Sequence, residues 1–383
     1  MSKWVCTWGV PTSYVCEDLA NVIENSTLRY TFFNNLKGNK IRFNFSNEYG
    51  KHDAKIDSAS VGEWSGRKAN IIKETCKEIT FSQNGNVIKA GKQLVSDEIE
   101  YEMQPGKTYV ISLYFKEKTF LETGYYKLTT ELYCAFGRGN YVFEGDMADR
   151  YSLETKNYMF LSGADVYTDD DSYAVIAFGD SITALQWPDL IQKKLFENGK
   201  TGISFVRRAV SGNRVLSDFG DISRGRHQAA AAVKRIERDI NQSVGAKTLV
   251  LLEGINDLLF GDPKKPGGDG KIPTADELIN GYKKCFEICR KYGLKTYQGP
   301  ILPSGQLTDK QDDRDEKRLV INEWIRKCEC TDGCIDYAEK MKEEDNGLLL
   351  KAEYDRGDRL HPNIDGEAFM AELVYETVIG GQK

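Results

Sequence analysis

Of three histidines in the chain, His361 stands three residues after Asp358 in the polar stretch "YDRGDRLHPN". An imidazole titrates near neutral pH and can take and return a proton, and a nearby carboxylate can hold it in one tautomer. Far upstream, "AVIAFGDSITALQWPDL" (174–190) begins as an apolar run and breaks at Gly179-Asp180-Ser181. A serine hydroxyl is a weak nucleophile until a base removes its proton and a carboxylate orients that base. Ser181, His361 and Asp358 supply those three roles. Attack on an acyl carbonyl also needs donors aimed at the developing oxyanion. The backbone N–H groups of Ser181 and Gly212 and the side-chain amide of Asn256 are of the right kind, with Gly212 letting the backbone come close. The chemistry of such a set is acyl transfer.

Residues this far apart meet only if the fold carries them to one place. From about residue 172, apolar runs alternate with helical stretches: "YAVIAF" and "WPDLIQKKLFENG", "ISFVRRAV" and "RHQAAAAVKRIERDI", "TLVLLEG" and "TADELINGYKKCFEICRKYG", "KTYQGPIL" and "EKRLVINEWIRKC". "CIDYA" reads as a fifth strand and "EAFMAELVYETVI" as a closing helix. This rhythm predicts an α/β fold with a flavodoxin-like, doubly wound parallel sheet. Every strand of such a sheet ends at the same edge, where ligands bind. Gly179-Asp180-Ser181, Ser211-Gly212-Asn213 and Gly254-Ile255-Asn256-Asp257 follow the first three strands. Pro188 suits a first helical turn and Gly199 a C-terminal cap, and Thr274 with Glu277 has capping-box spacing.

The preceding residues have another rhythm. "TLRYTFFNN", "KIRFNFSNEYG", "EITFSQNGN" and "KTYVISLYF" alternate with period two between turn residues, which predicts an antiparallel, jelly-roll-like β-sandwich. Asp169-Asp170-Asp171 marks the boundary, giving a sandwich domain over 1–168 and an α/β domain over 172–383.

With these blocks in order, the sequence resembles the SGNH, or GDSL, hydrolase superfamily. "FGDSIT" carries the nucleophile Ser181, "AVSGNRVL" the oxyanion glycine Gly212, "EGINDL" the oxyanion Asn256, and "DRLHPN" the Asp358–His361 pair. The resemblance spans 172 to 380 and is nearest to the bacterial arylesterase, acylhydrolase and acetylxylan-esterase branch, whose members also carry an N-terminal β-sandwich. It implies a serine esterase acting through an acyl-enzyme, without metal or organic cofactor, on short acyl groups such as acetyl on carbohydrate. One departure concerns "SITALQWPD": Ala184, Leu185 and Gln186 span a gap where that branch usually carries Asp or Asn plus Gly and a longer loop.

Other residues have blander readings. Trp187, His227 and Tyr354 are candidate substrate contacts, and Tyr282 has a flat face that could stack on a sugar, although core packing is the commoner fate of such aromatics. Asp180 suits a helix cap and Asp257 a structural role. Glu253 lacks the second carboxylate a glycosidase needs. Nine cysteines at irregular spacing, with Cys328, Cys330 and Cys334 the densest group, fit free thiols rather than a metal site or a disulfide framework.

A net charge of −6 and the lack of a long basic run argue against nucleic acid or an anionic membrane as partners. No apolar stretch reaches the ~20 residues of a membrane helix, and "MSKWVCTWGVPTSY" does not read as a signal peptide. These features predict a cytoplasmic protein acting on a small ester or an oligosaccharide ester, with a homo-oligomer left open. "GDPKKPGGDGK" (261–271) reads as a loop and lacks the P-loop pattern. The rival readings are a lipase, thioesterase or lysophospholipase on the same scaffold, and a non-catalytic sugar-binding protein.

Overall fold

The computed structural model describes residues 2–15, 22–130, 132–147, 152–218, 229–261, 270–307 and 313–380, with backbone only for 152–154. The longer strands of the N-terminal part are β1 (Ser2–Gly9), β2 (Ser26–Asn34), β3 (Gly38–Ser46), β4 (Ser58–Glu63), β5 (Lys107–Phe115), β6 (Cys134–Arg138) and β7 (Leu161–Asp169). Their pairings are antiparallel. One sheet runs β1-β7-β3 and continues to Gln93–Val95, and another carries β6-β2-β5-β4 at its centre. Successive side chains of a strand point to opposite faces. Ile41, Phe43 and Phe45 of β3 are accordingly buried, while Lys40, Arg42 and Asn44 between them are partly exposed. Phe32 of β2 meets Phe43 edge-on at 5.9 Å and Trp8 of β1 at 6.1 Å, so residues of both sheets share one apolar cluster.

The segment "EITFSQNGN" is strand only at its first residue, Glu78, the end of the short strand Lys77–Glu78. Asp97 is the reason: its carboxylate accepts hydrogen bonds from the Thr80 and Ser82 hydroxyls and from the backbone N–H groups of Ser82 and Gln83. The segment curls around that side chain instead of extending.

Between Asp169 and Tyr173 the pairing changes from antiparallel to parallel. The strands β8 (Tyr173–Gly179), β9 (Ile203–Ala209), β10 (Ala246–Leu252), β11 (Lys295–Gln298) and β12 (Gly333–Cys334) form one sheet in the order β9-β8-β10-β11-β12. The strand order reverses at β8, and ligands bind outside the carboxyl ends of strands at such a switch point. The helices are α1 (Ser181–Ala184), α2 (Trp187–Glu197), α3 (Ala232–Asn241), α4 (Ile255–Leu259), α5 (Ala275–Lys291), α6 (Arg314–Lys327), α7 (Tyr337–Met341) and α8 (Ile364–Val374). Pro188 lies in the first turn of α2, and Thr274 and Glu277 form a capping box on α5. The fifth strand is shorter than "CIDYA" suggests, because Asp336 caps α7 through the Glu339 N–H and turns the chain into helix.

Buried polar bonds fasten the two parts together. The guanidinium of Arg208, on β9, is fully buried. It donates to the Val10 carbonyl at 2.6 Å, the Ser162 carbonyl at 3.2 Å, the Gln242 carbonyl at 2.6 Å and Ser243 Oγ at 3.0 Å. Ser204 Oγ donates to the Cys6 carbonyl and Asn35 Nδ2 to the Ile203 carbonyl. Ala174 and Val206 of the parallel sheet belong to the apolar cluster of the antiparallel part. A buried carbonyl stripped of its donor costs about 1–3 kcal/mol. Arg208→Met should therefore destabilise the protein by roughly 3 kcal/mol, and hydrogen exchange should show β1 and β9 opening together. Unchanged protection of β1 in that variant would contradict the coupling.

Candidate active site

Ser181 is the first residue of α1, separated from β8 by Asp180 alone. Asp180 caps that helix, with Oδ1 accepting the Ile182 N–H at 2.9 Å. The Ser181 N–H, in the first turn, has no intrahelical carbonyl to bond. Ser181 Oγ donates to His361 Nε2 at 2.8 Å, and His361 Nδ1 donates to Asp358 Oδ2 at 2.6 Å. The hydroxyl, imidazole and carboxylate anticipated from the sequence thus form one unbroken relay.

The loop bearing His361 is stiffened by its own backbone. Asp358 Oδ1 accepts the N–H groups of Leu360 at 3.0 Å and His361 at 2.8 Å. Asp355 Oδ1 accepts from Gly357 and Arg359, and Asn363 caps α8 through the Gly366 N–H. Burial pushes the Asp358 carboxyl upward, but the hydrogen bonds from His361 and Leu360 outweigh it and hold the group below its ordinary value. An ionised Asp358 accepts only. The imidazole proton therefore stays on Nδ1, and Nε2 is left as the acceptor facing serine.

Gly212 and Asn256 lie on two neighbouring loops. Gly212 has φ +80°, a left-handed conformation that costs a side chain but not glycine. Asn256 enters α4 behind Gly254, whose φ is +120° and where a Cβ would stand 2.2 Å from the Tyr282 hydroxyl. Asn256 Nδ2 donates to the Asn213 carbonyl at 2.9 Å, which links the two loops, and an amide nitrogen carries a second hydrogen. Asp257 secures the first loop, its carboxylate accepting the Val215 and Leu216 N–H groups at 2.8 and 3.1 Å. Beside it opens a cavity of about 300 Å³ lined by Leu216, Ser217, Asp257, Pro273 and Glu277, among others.

Buried carboxyls underlie this edge. Burial raises Asp180 and Glu253 and pushes Asp257 up to about 6. In each case the charged form has lost its water.

The proposed substrate contacts fare differently. Trp187 is fully buried, and its ring meets Phe205 edge-on, which corrects the expectation that it faces substrate. It sits at the start of the buried stripe Trp187, Ile191, Leu195 of α2, so helical periodicity turns the indole into the core. Leu185 is buried too. Tyr354 is half-buried and stacks on Phe369 of α8 with ring centroids 5.1 Å apart. Tyr282 is buried and donates to the Glu253 carbonyl. His227, like most of the "GDPKKPGGDGK" loop, lies outside the described residues. Cys328 and Cys330 are joined in a disulfide, correcting the expectation of free thiols throughout. Their Cα atoms are 5.4 Å apart after the end of α6, within bridging reach. Cys334 is free. Among the described residues, no group of three or more histidine, cysteine or acidic side chains is placed to hold a metal ion. No described helix is long and apolar enough to cross a membrane.

A family model, the GDSL-like lipase/acylhydrolase family, matches residues 177–369. The chain belongs to this family. It is a carboxylic ester hydrolase. Solved structures similar to this hydrolase include a GDSL-like lipase from Bacteroides thetaiotaomicron, at 16% identity over 54% of this chain and 88% of the other, with a TM-score of 0.39. Others are an esterase from a Pseudoalteromonas species (15%, 55% and 98%, 0.40) and a catalytic mutant of an acetylxylan esterase from Geobacillus stearothermophilus (17%, 53% and 93%, 0.40). None of the curated proteins matches the chain.

Three anchors of the hydrolase escaped the sequence reading, and all are ionisable. Arg207 Nη2 donates to the Leu185 carbonyl at 2.9 Å and pairs with Asp189. Glu367, buried on α8, accepts the Gln186 N–H at 2.7 Å. Arg235 is buried among the ends of the central strands. Thr130 of the antiparallel part donates to Gln186 Oε1 at 3.1 Å, so the divergent Ala184-Leu185-Gln186 segment is held from several sides. Burial pushes the Glu367 carboxyl up to about 7, against the pull of the Gln186 N–H and nearby arginines. An unfolded glutamate loses its proton near pH ~4.3. Between about pH 4 and 7 the folded state consequently binds more protons, and stability falls as pH rises through that window. Glu367→Gln keeps the acceptor without the charge. Its stability relative to the parent should rise by roughly 2 kcal/mol from about pH 4.5 to about pH 8, measured by urea unfolding; parallel pH profiles would contradict this.

Proposed function

We propose that the protein is a serine esterase that removes short acyl groups, chiefly acetyl, from carbohydrate such as acetylated xylo-oligosaccharides. The observation that carries this reading is the Ser181–His361–Asp358 relay, with hydroxyl to imidazole at 2.8 Å and imidazole to carboxylate at 2.6 Å. Ser181 Oγ attacks the ester carbonyl carbon while its proton passes to His361 Nε2. The imidazolium is stabilised by Asp358 through the Nδ1 proton, which stays between them. The oxyanion is met by the N–H groups of Ser181 and Gly212 and the Asn256 amide. Collapse expels the alcohol, which takes the proton from Nε2 and leaves acyl-serine. Water then attacks the acyl carbonyl, its proton passing through Nε2 to Ser181 Oγ as the carboxylic acid departs.

The side chains next to the serine in sequence support a short acyl group. A long chain needs a continuous apolar channel, and the large apolar side chains flanking Ser181 in sequence, Phe178, Ile182, Leu185 and Trp187, are all buried in the core. The antiparallel sheets, sharing one apolar cluster, are read as a jelly-roll-like sandwich whose Thr130 buttresses the rim of the site.

Ser181→Ala should abolish hydrolysis of nitrophenyl acetate and of acetylated xylo-oligosaccharides without altering the fold. An unaffected rate would overturn the assignment. Across acetyl, butyryl and octanoyl nitrophenyl esters the parent rate should fall with chain length, and a rise would favour a lipase or thioesterase.

A further inference from the structure

Helix α3 buries positions 232, 235, 236, 239 and 240, the spacing of an apolar stripe. Two of those positions are Arg235 and Asp239, both with fully buried side chains. Charge in such a place is costly unless closely paired and hydrogen-bonded. A guanidinium carries five N–H groups in one fixed plane. Here Nε donates to Asn213 Oδ1 at 2.7 Å, Nη1 to the Arg208 carbonyl at 2.9 Å and to Asp239, and Nη2 to the Gly179 carbonyl at 2.9 Å. Glu253 Oε2 lies 3.6 Å from Nη2, and the Phe178 ring packs against the guanidinium at 3.9 Å.

These partners share one property. Gly179 closes β8, two residues before Ser181. Arg208 sits at the end of β9, just ahead of Gly212. Asn213 follows Gly212, and its carbonyl accepts the Asn256 amide. Glu253 follows β10, just ahead of Asn256. We propose that Arg235 is a positioning residue, whose planar fork fixes the separation between Ser181 and the oxyanion donors Gly212 and Asn256. It acts through the strand ends and the Asn213 side chain. The proposal rests on the esterase reading above.

Lysine keeps the charge beside Asp239 and Glu253 but cannot reproduce a planar five-donor fork. Small misplacement of catalytic groups can cost about 100-fold in rate. Arg235→Lys should lower kcat on nitrophenyl acetate by about 10- to 100-fold and kcat/KM equally, with KM within about twofold, the pattern of a lost transition-state interaction. Leu195→Ala, a core deletion on α2, serves as a destabilised control and should keep kcat within about twofold of the parent. Should Arg235→Lys fail to fold, Asn213→Ala, which removes the acceptor at Nε together with the Asn213 amide's bond to the Ala230 carbonyl, should show the same loss confined to kcat. Retention of parental kcat by a folded variant, or a loss confined to KM, overturns the proposal. Ser181-dependent turnover of the parent is measured first. Its absence defeats the esterase reading and this proposal together, whereas its presence with an indifferent Arg235→Lys defeats the clamp alone.

Discussion

The hydrogen bond from Ser181 to His361 joins residues 180 positions apart, and the rest of the molecule is arranged so that it can form. A parallel sheet discharges all its strands at one edge. β8 delivers the serine there, β9 and β10 deliver the Gly212 and Asn256 loops, and the segment before α8 returns the histidine. Each arrival is stiffened locally: Asp180 caps α1, Asp257 holds the Gly212 loop, and Asp358 binds the backbone of its own turn as well as the imidazole. The carboxylate that orients the histidine is thus itself positioned by the chain that carries it.

Environment separates the carboxyls of this edge into two kinds. Asp358 is partly solvated and receives three hydrogen bonds, and its carboxyl is held low. Asp180, Glu253 and Asp257 lie beneath the surface and are held high. The difference matters because only an ionised partner fixes the imidazole tautomer. Arg235 stands within this buried group and ties it to the strand ends.

Much of this was legible before any coordinates. Apolar runs alternating with helical stretches marked the parallel sheet, since strands buried on both faces need no polar alternation, and the small polar segments after them marked its edge. What escaped was any role set by tertiary packing. Trp187 offered a flat face that could meet a sugar, but the period of α2 turns it inward. Arg235 and Asp239 carry charges of the kind that usually stay in water, although their place on the stripe with Ala232, Ile236 and Ile240 was a usable signal. Period two in "EITFSQNGN" was defeated by Asp97, fifteen residues beyond Ser82 and invisible to a local window. The contacts of Arg208 and Thr130 across the two parts of the chain leave no periodic trace at all.

Those contacts also bear on the N-terminal part. Arg208, Ser204 and Asn35 knit its strands to β9, and Thr130 reaches the segment that follows Ser181, so it is structurally continuous with the edge where the relay stands. The relay itself is the central claim, and covalent trapping tests it most directly. A small alkylphosphonate ester reacts with a serine whose proton a neighbouring base withdraws. Peptide mass mapping should find one adduct, on the Ser181 oxygen, formed rapidly by the parent and hardly at all by His361→Ala. An adduct on another residue, or labelling of Ser181 at equal speed in both proteins, would contradict the account.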